Sequence, residues 1–245
     1  MKNIVLIGAT SAIAHQTALL YAAQGAHFML IARHQQHLLS CAADLKSRGA
    51  GSVFTGRMNA TDPTDAQRVF REAVTALGTI DCVIIAHGSL TDQARANHDI
   101  VYALEEFTVN CTSVLGYALA FAEYFEQNKS GSIVAISSVA GDRGRKGIYV
   151  YGAAKAGVSA IMQGLRQRLS ASNVHVMTVK PGFVDTPMTA DVPKNFLFAS
   201  PQSIAKGIYT GIERKKNVVY LPFFWRWIML VIKLIPERIF KRMSL

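Results

Sequence analysis

The sequence predicts an α/β fold: one doubly wound parallel sheet of about seven strands, with helices on both faces. Short apolar runs rich in β-branched residues alternate with amphipathic stretches along almost the whole chain. Strands that are apolar on both faces must be covered on both faces, and helices are the covering element. No internal repeat and no Pro/Gly/Ser-rich linker interrupts the alternation. Residues 1–221 are therefore expected to form one domain, with 222–245 as an apolar and basic helical extension of it. The chain has 245 residues and is 50% hydrophobic, enough for a single large core.

Each element has its own signal. Asn3–Ile7 is apolar and β-branched and stops at Gly8. Residues 12–24 carry helical periodicity and close at Gly25. His27–Ala32 is the second strand, followed by a helix over 34–48 with Leu38, Leu39, Ala42 and Leu45 on one face. Residues 52–58 read as the third strand. A helix over 64–77 follows, capped by Asp62 or Thr64 ahead of Val69, Phe70 and Val74. Residues 81–86 form the apolar fourth strand, and one long helical pattern runs over 100–128. Strand 132–137, helix 150–169, strand 174–179, helix Pro201–Glu213 and strand 217–221 complete the set.

The formal net charge is +10, which admits nucleic acid, an anionic membrane or a phosphorylated substrate as partner. The excess concentrates late in the chain, at Arg214, Lys215, Lys216, Arg226, Lys233, Arg238, Lys241 and Arg242, opposed there by Glu213 and Glu237. No zinc-finger spacing, RNA-binding aromatic signature or basic-zipper pattern accompanies it, so nucleic acid is not expected. Cys41, Cys82 and Cys111 are far apart and odd in number, which fits a reduced, cytoplasmic compartment. The histidines form no ligand frame with a carboxylate, so no metal is expected. The first residues imitate a signal peptide, but the apolar run of about six residues falls short of the usual ~7–15. It reads as a strand and turn, and no cleavage is expected.

The chemistry concentrates on Ser138, Tyr151 and Lys155. Tyr151 and Lys155 stand four residues apart, which puts phenol and ammonium on one helix face. A free tyrosine keeps its proton to about pH 10, and a neighbouring ammonium is expected to bring it nearer the working range. A Ser138 hydroxyl would hold a substrate carbonyl beside that phenol. Alone, such a spacing is common on helix surfaces, and Ser137 competes with Ser138 for the substrate side of the strand end.

A cofactor loop precedes these residues. Gly8, Thr10, Ser11, Ala12 and Ile13 join the first strand to the first helix, where a dinucleotide pyrophosphate meets a helix N-terminus. Ala12 and Ala14 stand where such loops often use glycine, so the glycine signal by itself is weak. Arg33 ends the second strand with no acid beside it, which points to a 2′-phosphate and hence NADP(H).

Together these pieces resemble the short-chain dehydrogenase/reductase family over almost the whole chain, and that resemblance implies a Rossmann-type fold. Asn59 and Ala60 match the segment that touches adenine, with Asn59 where the family usually has aspartate. Ala86 and Gly88 are what remains of the family's Asn-Asn-Ala-Gly stretch. Val109-Asn110 resembles the helix asparagine whose carbonyl holds a water near the lysine. Pro181, Gly182, Val184 and Thr186 match the loop that holds nicotinamide. The resemblance implies Asn110, Ser138, Tyr151 and Lys155 as the catalytic set. Tyr151 and Lys155 would also touch the cofactor, with Tyr151 as acid/base and Lys155 on the nicotinamide ribose. It also implies a homodimer or homotetramer through the long helices around 100–128 and 150–169.

The implied activity is NADP(H)-dependent reduction of a carbonyl to a secondary alcohol. A non-catalytic NADP-binding regulator of the same fold is the competing reading, and a 3-oxoacyl thioester is an alternative substrate. An extended-family epimerase or dehydratase is disfavoured by the short C-terminal portion. The Ala-substituted cofactor loop, the stretch Lys180-Pro-Gly-Phe-Val-Asp-Thr-Pro-Met188 and the Pro222-Phe-Phe-Trp-Arg tail together resemble a bacterial subgroup that is similar to the polyprenyl-phosphoryl 2-keto-pentose reductases. A lipid-linked keto-sugar or other apolar ketone would suit that tail. The run to Pro236 is shorter than the ~20 residues of a membrane-spanning helix. Contact with the inner face of the cell membrane, a cover over the substrate pocket, and a dimer interface are all open to it.

Overall fold

The computed structural model describes residues 1–243. Seven strands form one sheet: β1 (Asn3–Ile7), β2 (His27–Ala32), β3 (Val53–Arg57), β4 (Cys82–Ile85), β5 (Ser132–Ile136), β6 (His175–Pro181) and β7 (Val218–Leu221). Their order is β3-β2-β1-β4-β5-β6-β7, and every neighbouring pair is parallel. The doubly wound α/β sheet is therefore as expected. The helices are α1 (Ala12–Ala22), α2 (Gln35–Ser47), α3 (Asp65–Leu77), α4 (Gln93–Ala96), α5 (Ile100–Phe107), α6 (Ser113–Asn128), α7 (Tyr149–Leu169), α8 (Pro201–Glu213), α9 (Trp225–Leu234) and α10 (Glu237–Phe240).

Strand alternation divides the core in two. On β1, Val5 and Ile7 face one layer with Val69 of α3, Phe121 of α6 and Val158 of α7. Ile4 and Leu6 face the other, with Ala18 of α1, Leu38 of α2 and Ile208 of α8. This two-sided burial is what continuous apolar strands require.

The order reverses between β1 and β4, which opens a crevice at the strands' C-terminal ends. Gly8, Arg33, Ala86, Ser137 and Gly182 each follow directly on a strand and so gather at that edge. Gly8 has φ +83°, and a Cβ there would sit 2.4 Å from the backbone nitrogen of His87. Glycine is required both by the turn and by the approach.

Two expectations need correction. The single helix over 100–128 is interrupted by a π-helical turn, Thr108–Thr112, between α5 and α6. Apolar periodicity does not reveal such a turn, because one extra residue shifts the pattern only locally. The tail is two helices rather than one, because Pro236 cannot continue α9 and Ile235 before it is extended. Trp225 and Met229 of α9 are buried against Val139. Arg143 ties this helix down by donating to the carbonyls of Ile232, at 2.5 Å, and Ile235, at 2.7 Å, and pairs with Glu237 at 3.0 Å. Among the described residues no helix is long and apolar enough to cross a membrane.

Candidate active site

Ser138, Tyr151, Lys155 and Asn110 line one cavity of about 210 Å3 at the crevice. Ser138 follows β5, and its Oγ accepts the backbone N–H of Ala140 at 3.1 Å. The hydroxyl proton is then free to donate to the Tyr151 phenol. Ser137 is spent elsewhere: its hydroxyl donates to the Lys155 carbonyl at 2.8 Å and is 2.8 Å from the Ser159 hydroxyl. The side chain offered to the cavity is that of Ser138.

Tyr151 and Lys155 lie in the first two turns of α7. Lys155 is 3% exposed, and its Nζ donates to the Ile136 carbonyl at 3.2 Å. Burial holds this ammonium down to about 8, with the Cys111 thiol acting weakly the other way. Burial also pushes the Tyr151 phenol up to about 12, against the lowering pull of Ser138. The expected lowering by Lys155 is not seen. Its Nζ lies 5.5 Å from the centre of the Tyr151 ring and is bonded to a carbonyl, not to the phenol oxygen. At neutral pH the phenol is a proton donor.

Asn110 is fully buried in the π turn. Its side-chain oxygen accepts from the Ser89 N–H at 3.1 Å, and its amide donates to the Glu106 carbonyl at 3.0 Å. The side chain thus fixes the turn after β4, and any role toward Lys155 falls to its backbone carbonyl. Gly88 fits between them: a Cβ there would lie 2.7 Å from Asn110 Oδ1 and 3.3 Å from Lys155 Nζ.

The cavity opens into a groove of about 400 Å3. Gly8, Thr10, Ser11, Ala12, Ile13, Arg33, Ala60, Ala86, Gly88 and Thr186 line it, all of them predicted cofactor residues. Pro181, Gly182 and Val184 line the catalytic cavity instead. The groove suits a dinucleotide on two counts. Gly8 lets the backbone close in, and the Ser11 side chain does not cap the first-turn amides of α1, leaving them open to an anion. Arg33 is exposed at the groove and makes no ion pair among the described residues.

Asn59 is a correction. It does not line the groove but a separate pocket, and its Oδ1 accepts from Thr61 Oγ1 at 2.8 Å and from the Thr61 N–H at 3.2 Å. An Asx-type turn claims the carbonyl that adenine was to use. Met58 lines the groove beside Ala60 and was not foreseen.

Other lining residues also escaped the sequence reading. His87 lines both spaces. Its Nε2 is 2.7 Å from Ser113 Oγ, and burial, aided by Lys155 and Arg33, holds it down to about 3. It is neutral at any ordinary pH and adds no charge. Trp225 of α9 lines the cavity too, packed so closely on Gly182 that a Cβ there would overlap the indole at 1.9 Å. The tail therefore covers the pocket with one face. Its other face leaves Trp227, Val231 and Leu234 at 59%, 63% and 72% exposed. Among the described residues no cluster of three or more His, Cys, Asp or Glu has the arrangement of a metal site.

Comparison with known proteins agrees with this architecture. The sequence profile of the short chain dehydrogenase family matches residues 2–196. An uncharacterised oxidoreductase of Mycobacterium tuberculosis is 32% identical over 240 residues, covering 98% of this chain and 96% of its own. Another, from Streptomyces coelicolor, is 32% identical over 243 residues, covering 99% and 96%. Among solved structures, a short-chain dehydrogenase from Sphingobium yanoikuyae in complex with NADPH superposes with a TM-score of 0.82 at 24% identity, over 97% of each chain. An alcohol dehydrogenase from Thermococcus sibiricus complexed with 5-hydroxy-NADP gives 0.80 at 20% identity, over 90% of this chain and 95% of that one. At these identities the structures speak to fold alone.

Proposed function

The chain belongs to the short-chain dehydrogenase/reductase family of oxidoreductases, and from that premise we propose that it is an NADP(H)-dependent reductase converting a ketone to a secondary alcohol. The observation that carries the reading is the meeting of Ser138, Tyr151 and Lys155 on the wall of a cavity continuous with the Gly8–Arg33 groove. The bound dihydronicotinamide supplies the hydride. Tyr151 donates its proton to the carbonyl oxygen, and the high phenol pKa keeps that proton available at neutral pH. Ser138 donates a hydrogen bond to the same oxygen and orients it. Lys155 holds positive charge beside the developing alkoxide and the ribose. The first-turn amides of α1 take the pyrophosphate and Arg33 the 2′-phosphate.

Purified protein is screened for NADPH oxidation against ketones, keto-sugars and 3-oxoacyl thioesters, with NADH in parallel. Tyr151→Phe is expected to abolish turnover and spare NADPH binding; equal turnover in that variant refutes the assignment. A purely regulatory NADP binder would leave every carbonyl unreduced.

A second element of the proposal concerns the tail. The outward face of α9 repeats Trp227, Val231 and Leu234 at helical spacing, flanked by Arg226 and Lys233. Such a face suits the cytoplasmic surface of an anionic membrane, and an apolar or lipid-linked ketone would be delivered there. Ile100, Val101 and Leu104 of α5, at 76%, 67% and 63% exposed, offer the apolar patch for a homo-oligomer.

A further inference from the structure

Arg145 lies in the loop before α7 and lines the catalytic cavity beside Ser138 and Tyr151. It does not line the cofactor groove. Its neighbour in the chain is satisfied: Arg143 donates to the tail carbonyls of Ile232 and Ile235 and pairs with Glu237. The Arg145 side chain has no carboxylate partner among the described residues, and its Nε is buried without an acceptor. Burial alone acts on its charge, and lowers its pKa. A partly desolvated guanidinium with no counter-ion is costly to the fold.

The cavity's composition makes the imbalance specific. Arg145 and Lys155 line it, and no aspartate or glutamate does. Much of the remaining wall is apolar, with Ile148, Phe183 and Val192 among its residues. Trp225 adds a second buried N–H without an acceptor. The planar fork of an arginine matches the paired oxygens of a carboxylate or phosphate, and such bonds strengthen out of water.

We propose that Arg145 is a specificity-determining residue that binds an anionic oxygen group of the substrate, a carboxylate or a phosphate, carried on an otherwise apolar body. The inference rests on the reading of the cavity as a carbonyl-reducing site, and extends it by naming the second group that the substrate presents. The carbonyl meets Ser138 and Tyr151 while the anion meets Arg145, which fixes which face of the carbonyl is turned to the hydride.

The test reads binding, so it does not depend on turnover. Full-length protein at pH 7 is titrated calorimetrically with benzoate, with neutral benzamide of the same shape, and with phenyl phosphate. Benzoate or phenyl phosphate is expected to bind at least about tenfold more tightly than benzamide, the ordinary worth of a charge-assisted hydrogen bond. Arg145→Gln should erase that preference and leave benzamide unchanged, and Arg145→Lys should keep part of it. Whichever anion loses more in Arg145→Gln identifies the group as carboxylate or phosphate. Anion affinities that match benzamide, or that survive Arg145→Gln in a variant with wild-type melting, overturn the proposal. If anion binding depends on Arg145 while no carbonyl is reduced by NADPH, the anion site stands and the reductase reading fails.

Discussion

Removing the charge at residue 155 should make the ligand-free protein more stable while destroying its activity. Lys155 is 3% exposed, and among the described residues its ammonium donates to one carbonyl and has no acid beside it. Burial lowers its pKa from 10.5 to about 8. At ~1.4 kcal/mol per tenfold, keeping the charge at neutral pH costs the fold about 3 kcal/mol. Lys155→Met preserves the length of the side chain and removes the charge, but forfeits the bond to Ile136, worth about 1 kcal/mol. The net gain is about 2 kcal/mol. With an unfolding entropy of ~2.1 cal/mol/K per residue, that raises the melting temperature by about 4 °C. Differential scanning fluorimetry or calorimetry without cofactor reads it. The pH dependence is a second signature. A base whose folded pKa is depressed destabilises fully below that value and ceases to do so above its unfolded value. The gap between variant and wild type should therefore hold up to about pH 8 and close as pH rises toward 10.5. A variant that melts below wild type at pH 7, or a gap indifferent to pH, refutes the reasoning.

Two further predictions concern the cofactor and the tail. Arg33→Ala should raise the KM for NADPH by about ten- to a hundredfold and leave that for NADH nearly unchanged, because one charge-assisted contact to a phosphate is worth ~1.5–3 kcal/mol; equal effects on the two cofactors in steady-state assays would assign Arg33 another role. Val231→Glu with Leu234→Glu alters only the outward face of α9 and should cut co-sedimentation with phosphatidylglycerol vesicles by about tenfold or more, while reduction of a water-soluble ketone continues; undiminished co-sedimentation rules that face out as the contact.

Much of this arrangement was legible in the sequence, for identifiable reasons. Continuous apolar strands have one common solution, so the seven strands and their layers followed from pattern. Residues that follow strands are carried to one edge by topology, which is why Gly8 and Arg33 share a groove and Ser138 lines the cavity beside it although they are far apart in the chain. What escaped depended on local competition or on packing. Asn59 had the chemistry to meet adenine, but Thr61, two residues on, takes its carbonyl first. Arg145, in a Gly-Arg-Lys-Gly stretch, looks like a solvated loop arginine, and only the fold reveals that its Nε is buried with no acceptor among the described residues. The pull of Lys155 on Tyr151 was inferred from helical spacing, which fixes a shared face but not which atoms touch.

The contact between Gly182 and Trp225 crosses a boundary in the chain. The family profile ends at residue 196, whereas the indole that roofs the cavity lies beyond it. The Ser138–Tyr151 wall of the cavity and the indole over it are thus written in different stretches of sequence, joined at one glycine that must stay bare.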